Sequence, residues 1–329
     1  MKRILMMLIL LMMAALLLAG CSNTQKTHTD SNNDNRISIV ATIYPEYDWV
    51  LNVLGNKKDN IDVMLLVDNG TDLHSFEPTA NDMVKIAKCD VFIYVGGESD
   101  QWVEDALKQA TNKNMQVVNL MDIMDNAKKE EEMKEGMQTK RELIEKEETE
   151  PEYDEHVWLS LKSTKKFVTA IADAISKVDA ENADIYAANA KSYNEKLMAL
   201  DGEYTKTVKN AQQKTLLFGD RFPFRYMTDD YGIDYYAAFN GCSAETEASF
   251  ETIKFLADKV DELNLKNVMI IDNSDEKIAK TIINNTKNKN QKILRLNSMQ
   301  SVGKKELEAG QTYLKIMESN LDVLKEALQ

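Results

Sequence analysis

Short apolar runs alternate with amphipathic stretches along most of the chain. Residues 37–42, 61–67, 90–95 and 115–120 are rich in β-branched and aromatic side chains and are bounded by Gly, Pro, Asn or Asp, so they read as strands. Helical spacing fills the gaps between them, at 47–54, 81–88 and 104–111. Strands that alternate with helices predict parallel βαβ units. A long helical pattern then runs over residues 163–209. In it Phe167, Ile171, Ala174 and Ile175, then Tyr186, Tyr193, Leu197 and Leu200, recur at helical spacing, and residues 179–182 divide it in two. Its second half would be roughly 44 Å long at 1.5 Å per residue, more than one βαβ layer needs. The alternation resumes with strands at 215–218, 235–239, 268–271 and 293–296, and helices at 250–263, 276–284 and 312–328. The pattern predicts an α/β chain of two lobes, each with a mostly parallel four-stranded sheet flanked by helices. The N-terminal lobe spans 37–182, a linking helix 183–211 and the C-terminal lobe 212–329.

Two segments stand outside this pattern. Residues 1–20 carry Lys2 and Arg3, an apolar run over 4–18, and then Ala19-Gly20-Cys21. That order reads as a secretory signal peptide. The Cys directly after Ala-Gly resembles a bacterial lipobox, which implies that Cys21 is diacylated and becomes the new N-terminus. Two acyl chains suffice for stable anchoring. The expected location is therefore the extracytoplasmic face of the cell membrane, with polar residues 21–36 as a tether. The second segment, 125–155, holds 13 acidic and 6 basic residues. Such a stretch is expected to be a solvated or disordered insertion in the N-terminal lobe.

Composition then removes whole classes of function. A net charge of −14 argues against nucleic acid as a partner. Three cysteines cannot build a disulfide framework over 329 residues. Only three histidines are present, and His28 lies in the tether. The other two sit at loop junctions of one lobe. His74 lies in Asp72-Leu73-His74-Ser75-Phe76-Glu77-Pro78-Thr79, after the second strand, and His156 lies in Tyr153-Asp154-Glu155-His156-Val157-Trp158-Leu159. Loops at the carboxyl ends of parallel strands are where open α/β sheets bind ligands, and neutral imidazole suits borderline divalent metals. Either histidine alone reads as a turn cap or a residue packed on Trp158. Together, each with carboxylates close by, they read as ligands with partners that orient the rings. The C-terminal lobe has no His, so further ligands must be carboxylate, Cys, Asn or water. Asp220, Cys242, Asp272 and Asp275 all follow strands there. The competing reading is helix capping for the aspartates and small apolar filler for Cys242.

These motifs resemble those of the metal-specific solute-binding lipoproteins of zinc and manganese ABC importers. The resemblance covers nearly all of 37–329 and rests chiefly on the His74 and His156 motifs. The Tyr44-Pro45, Tyr186–Leu200, Tyr231-Gly232 and Asp272 regions give weaker support. It implies two lobes bridged by a rigid helix, modest lobe motion, and one metal in the cleft with two ligands from each lobe. His74 and His156 match the N-lobe ligands. Asp220 is nearest to the third position, with one extra residue before Tyr226. Asp272, then Asp275, fits the fourth. The His-rich loop of zinc members is replaced here by the charged insertion. The implied function is capture of Zn2+ first, or Mn2+ second, as transported ligand by a monomeric protein that delivers it to a membrane permease. Two imidazoles with two carboxylates would move the site toward manganese, whereas Cys242 in the shell would favour zinc. A metal-dependent hydrolase using the same residues is the alternative, although no nucleophile elbow or HExxH motif is present. A surface adhesin has no sequence feature of its own.

Overall fold

The computed structural model describes residues 36–68, 70–138, 152–243 and 247–329. The leader, Cys21 and residues 139–151 of the charged segment lie outside the described residues. From residue 37 on, the order is β1 (Ser38–Ala41), α1 (Tyr44–Leu54), β2 (Asp62–Leu65), α2 (Ala80–Lys88), β3 (Val91–Tyr94), α3 (Trp102–Lys108), β4 (Gln116–Asn119) and α4 (Leu120–Met124). Two long helices follow, α5 (Leu161–Val178) and α6 (Ala183–Lys209). The second half comprises β5 (Thr215–Phe222), α7 (Arg225–Tyr231), β6 (Asp234–Asn240), α8 (Phe250–Glu262), β7 (Asn267–Ile271), α9 (Lys277–Asn285), β8 (Lys292–Leu296), α10 (Lys304–Glu308) and α11 (Tyr313–Ala327).

Each lobe is a four-stranded parallel sheet, ordered β2-β1-β3-β4 in one and β6-β5-β7-β8 in the other. The first strand of each sheet therefore lies between the second and the third, and the loops after all eight strands emerge at carboxyl ends, where such sheets take ligands. Ser and Thr residues fix the helix starts. Thr79, Ser160, Ser249 and Thr312 each accept the backbone N–H three residues on, ahead of α2, α5, α8 and α11. Pro45 lies in the first turn of α1, where its missing N–H costs nothing.

Helix α6 joins the lobes. Its first half holds the N-lobe, with Asn189 donating to the Val53 carbonyl and the Tyr193 hydroxyl donating to Asp48. Its second half holds the C-lobe, with the Tyr204 hydroxyl donating to the Met317 carbonyl of α11. One apolar core runs through α1, α5, α6 and α11 and into both lobes, with Trp49, Trp158 and Tyr313 fully buried. The Tyr313 hydroxyl donates to the Trp158 carbonyl at 2.6 Å, and its ring packs edge-on to Trp49 at 5.3 Å. A continuous core of this kind resists wide hinge opening, because parting the lobes would expose it to water.

The described parts of the charged segment, 125–138 and 152–155, are more structured than their composition predicts. Glu130 bridges to Tyr153. Residues 129–138 reach the C-lobe: Lys129 N donates to the Tyr226 hydroxyl, Gln138 N donates to the Ala238 carbonyl, and Glu132 pairs with Arg225. Opposite charges on the partner lobe turn a solvated-looking sequence into a strap.

Candidate metal centre

His74 sits on a short turn that begins at Asp72, whose carboxylate accepts the His74 backbone N–H at 3.1 Å. Arg221 reaches from β5 to the other oxygen of Asp72 at 2.6 Å, so this ion pair ties the His74 loop to the C-lobe. The guanidinium overcomes burial and holds the Asp72 carboxyl below its usual range. His156 is fully buried. Asp154, two residues earlier, accepts both its backbone N–H at 2.8 Å and its ring Nδ1–H at 3.0 Å. That bond fixes the tautomer and points the lone pair of Nε2 the other way.

The two rings meet. Nε2 of His74 lies 3.1 Å from Nε2 of His156. Nδ1 of His74 lies 2.7 Å from the Ser99 hydroxyl and 3.5 Å from Glu155 Oε2. Cys242, just after β6, completes the group. Among the described residues, His74, His156 and Cys242 form a set of potential ligands whose donor atoms all lie within 4.8 Å of one another. Gly241 makes the approach possible. A Cβ there would stand 3.0 Å from the Phe222 carbonyl oxygen and 2.8 Å from His156 Cε1, the latter closer than real Cβ atoms come.

The electrostatics suit a cation. Burial and the neighbouring His156 push the His74 pKa down to about 3, so its ring is neutral and able to ligate. Burial also works against charge on His156, but Asp154, Glu131 and Glu155 outweigh it and its pKa is raised. Burial, and then the charges of Glu131, Asp154 and Glu155, lift the Cys242 thiol well above its usual value. Three carboxylates around a cluster without a compensating cation favour retained protons, which a divalent ion would displace. Two cavities share His74 and Cys242 as walls. One, of about 460 Å3, continues past Asp72, Asp220 and Arg221. The other, of about 260 Å3, is lined by Glu98, Glu131, Glu152 and Glu155.

The expected C-lobe carboxylates are engaged otherwise. The strand expected to end at 218 runs on to Phe222, with a register irregularity between Phe218 and Arg221, and this places Asp220 inside β5. Its carboxylate accepts Arg221 N at 2.8 Å and Ile271 N at 3.5 Å. Asp272 Oδ1 accepts both the backbone N–H and the hydroxyl of Ser298, at 2.8 and 2.7 Å. Asp275 accepts Lys277 N at the start of α9 and pairs with that lysine's ammonium. None of the three joins the close His–His–Cys group. Cys242, whose residue type alone suggests filler, does. Gly241 beside it is the sequence signal that could have marked it. Glu131 was hidden in the charged segment. Its carboxylate accepts the Asn240 amide and lies against Cys242.

Residues 39–327 match the family described as zinc-uptake complex component A, periplasmic. The chain is 32% identical over 305 residues to the zinc-binding protein AdcA of Streptococcus pyogenes, covering 89% of this chain and 56% of that protein. It thus spans just over half the length of this streptococcal relative. It is 29% identical over 314 residues to the high-affinity zinc uptake system protein ZnuA of Bacillus subtilis, covering 94% of this chain and 93% of that one. Its fold is similar to the crystal structure of the Zn(II)-bound ZnuA-like domain of Streptococcus pneumoniae AdcA, with a TM-score of 0.69 at 27% identity, covering 89% and 99% of the two chains.

Proposed function

The chain belongs to the family of the periplasmic zinc-uptake complex component A, and from that premise we propose that it is the extracytoplasmic binding component of a zinc importer. It captures Zn2+ between its lobes through His74, His156 and Cys242 and passes the ion to an ABC permease, while lipid on Cys21 holds it at the cell membrane. The observation that carries this reading is the convergence of two imidazole nitrogens and one sulfur within 4.8 Å. Thiolate is a soft donor, and a set of two nitrogens with one sulfur suits zinc far better than manganese, which prefers oxygen. The −14 net charge raises the local concentration of cations around the cleft. The family is one of uptake components, and no feature of the site favours the hydrolase reading over it.

The test is metal titration of the purified protein with a competing chelator. One zinc per chain and preference for zinc over manganese are expected. Retention of stoichiometric zinc in both His74→Ala and His156→Ala would sink the assignment. Labelling with radioactive palmitate in wild type but not in Cys21→Ala would support the anchor.

A further inference from the structure

Two imidazoles and one thiolate leave a tetrahedral cation one ligand short. A side chain already touching one of the donor atoms is Gln300, in the loop after β8. It is 5% exposed, and its Nε2 stands 3.0 Å from Nε2 of His156. Its Oε1 is buried with no hydrogen-bond partner. Leaving such an oxygen unpaired is costly, so it calls for a reason. We propose that Gln300 guards the site in the metal-free protein by donating to His156, and that after a half-turn of its amide Oε1 becomes the fourth ligand of the cation. This rests on the His–His–Cys reading above.

Nδ1–H of His156 is committed to Asp154, so Nε2 has one lone pair to offer. With His156 in that neutral tautomer, Gln300 Nε2 at 3.0 Å and His74 Nε2 at 3.1 Å are both placed to donate toward that pair. A cation that takes it must evict both donors. The Gln300 N–H would then face positive charge, and a half-turn about the last side-chain torsion replaces it with the carbonyl oxygen without moving the loop. His74 must also free its Nε2. Its proton leaves that atom and Nδ1 gains one, where Ser99 Oγ at 2.7 Å and Glu155 Oε2 at 3.5 Å can accept it. The Cys242 thiol loses its proton to solvent as the sulfur–metal bond forms. Glu155 Oε2, like Gln300 Oε1, is buried without a hydrogen-bond partner. Both orphaned oxygens acquire a partner in the loaded site.

The loop is built to hold Gln300 in place. Asp272 grips Ser298, and Trp158 Nε1 donates to the Ser298 carbonyl at 2.9 Å. Met299, 1% exposed, has a φ of 61°, a left-handed conformation that costs a non-glycine residue energy and is kept where geometry matters. Asp272 is thus a positioning residue for Gln300.

Cobalt(II) substitution and zinc competition test this on Gln300→Leu, Gln300→Glu and Asp272→Asn. Wild type should show intense tetrahedral d–d bands and a thiolate-to-cobalt charge-transfer band. In Gln300→Leu the thiolate band should persist, the d–d envelope should change as water replaces the amide, and zinc affinity should fall on the order of 10–100-fold. Gln300→Glu, which keeps an oxygen donor, should restore affinity, and Gln300→Ala serves if the leucine variant does not fold. Unchanged affinity and cobalt spectrum in Gln300→Leu would overturn the proposal. So would a lost tetrahedral spectrum in Asp272→Asn while Gln300→Leu stays as wild type. Failure of the underlying reading looks different, because the wild-type protein would lack the thiolate band.

Discussion

The two sheets share one strand order yet bring opposite chemistry to the cleft. In the N-lobe, His74 projects from the loop after β2 and His156 from the segment just ahead of α5, and the carboxylates beside them (Asp72 and Asp154) hold their backbone N–H groups or ring. In the C-lobe, Asp220 inside β5 and Asp272 just after β7 are engaged by N–H and hydroxyl groups of their own lobe, and softer groups, Cys242 and Gln300, face the histidines. Topology decides where a ligand can bind. The local hydrogen-bond accounts decide which side chains are left to bind it.

The largest break in this comparison is His156→Ala. It should reduce zinc affinity by more than about 100-fold, and it leaves Asp154 without its ring partner, at a stability cost of about 1–3 kcal/mol. Chelator competition and thermal denaturation read the two effects separately. His74→Ala should match the affinity loss with a smaller stability change, since its ring is partly exposed. Next comes Cys242→Ser, expected to cost on the order of 10–100-fold in zinc affinity and to narrow the preference for zinc over manganese. An unchanged preference would mean that the C-lobe does not set metal choice. Gly241→Ala should follow at about tenfold, because the new methyl would displace the His156 ring and a ligand misplaced even slightly binds poorly. Asp220→Asn should shift affinity less than about twofold, since its carboxylate serves the β5 irregularity. A large loss there would return Asp220 to the ligand set.

Much of this architecture is legible in the sequence because period-2 and period-3.6 patterns are local. The strands, the break near 179–182 and the linking helix appear within a few residues of their expected places. His74 and His156 stand out because the folded body holds only those two histidines. The remaining contacts depend on distance in space. Cys242 meets His156 only because β6 pairs with β5 and Gly241 clears the ring, and Gln300 meets it from 144 residues away. Asp220 sits at a plausible strand end until the strand itself continues. Gly219 permits that geometry, since a Cβ there would lie 2.6 Å from Ala279 Cα of α9. Charge count could not show that 129–138 meets Tyr226, Arg225 and Ala238, because those partners lie about 100 residues on.

The smallest expected effect on metal binding concerns the central strands, whose ends are again handled differently. In the C-lobe, Asp220 binds backbone N–H groups in a half-buried setting. In the N-lobe, Glu46 is fully buried just after β1. One oxygen accepts from Thr42 N, Thr42 Oγ1 and Ile43 N, and the other has no partner. Burial, and then the charge of Asp100, outweigh those three donors and raise the Glu46 pKa from 4.5 to about 8. The folded protein therefore keeps a proton on Glu46 between about pH 4.5 and 8 that the unfolded chain has released. The folded state binds more protons there, so stability must fall as pH rises through that window. Glu46→Gln mimics the protonated form and removes this dependence. Between pH 5 and 9, wild type should lose more in Tm than the variant, as thermal melts across that range would read. Parallel Tm–pH profiles for the two proteins would mean that Glu46 is ionised when folded, and that the two central strands end in the same way after all.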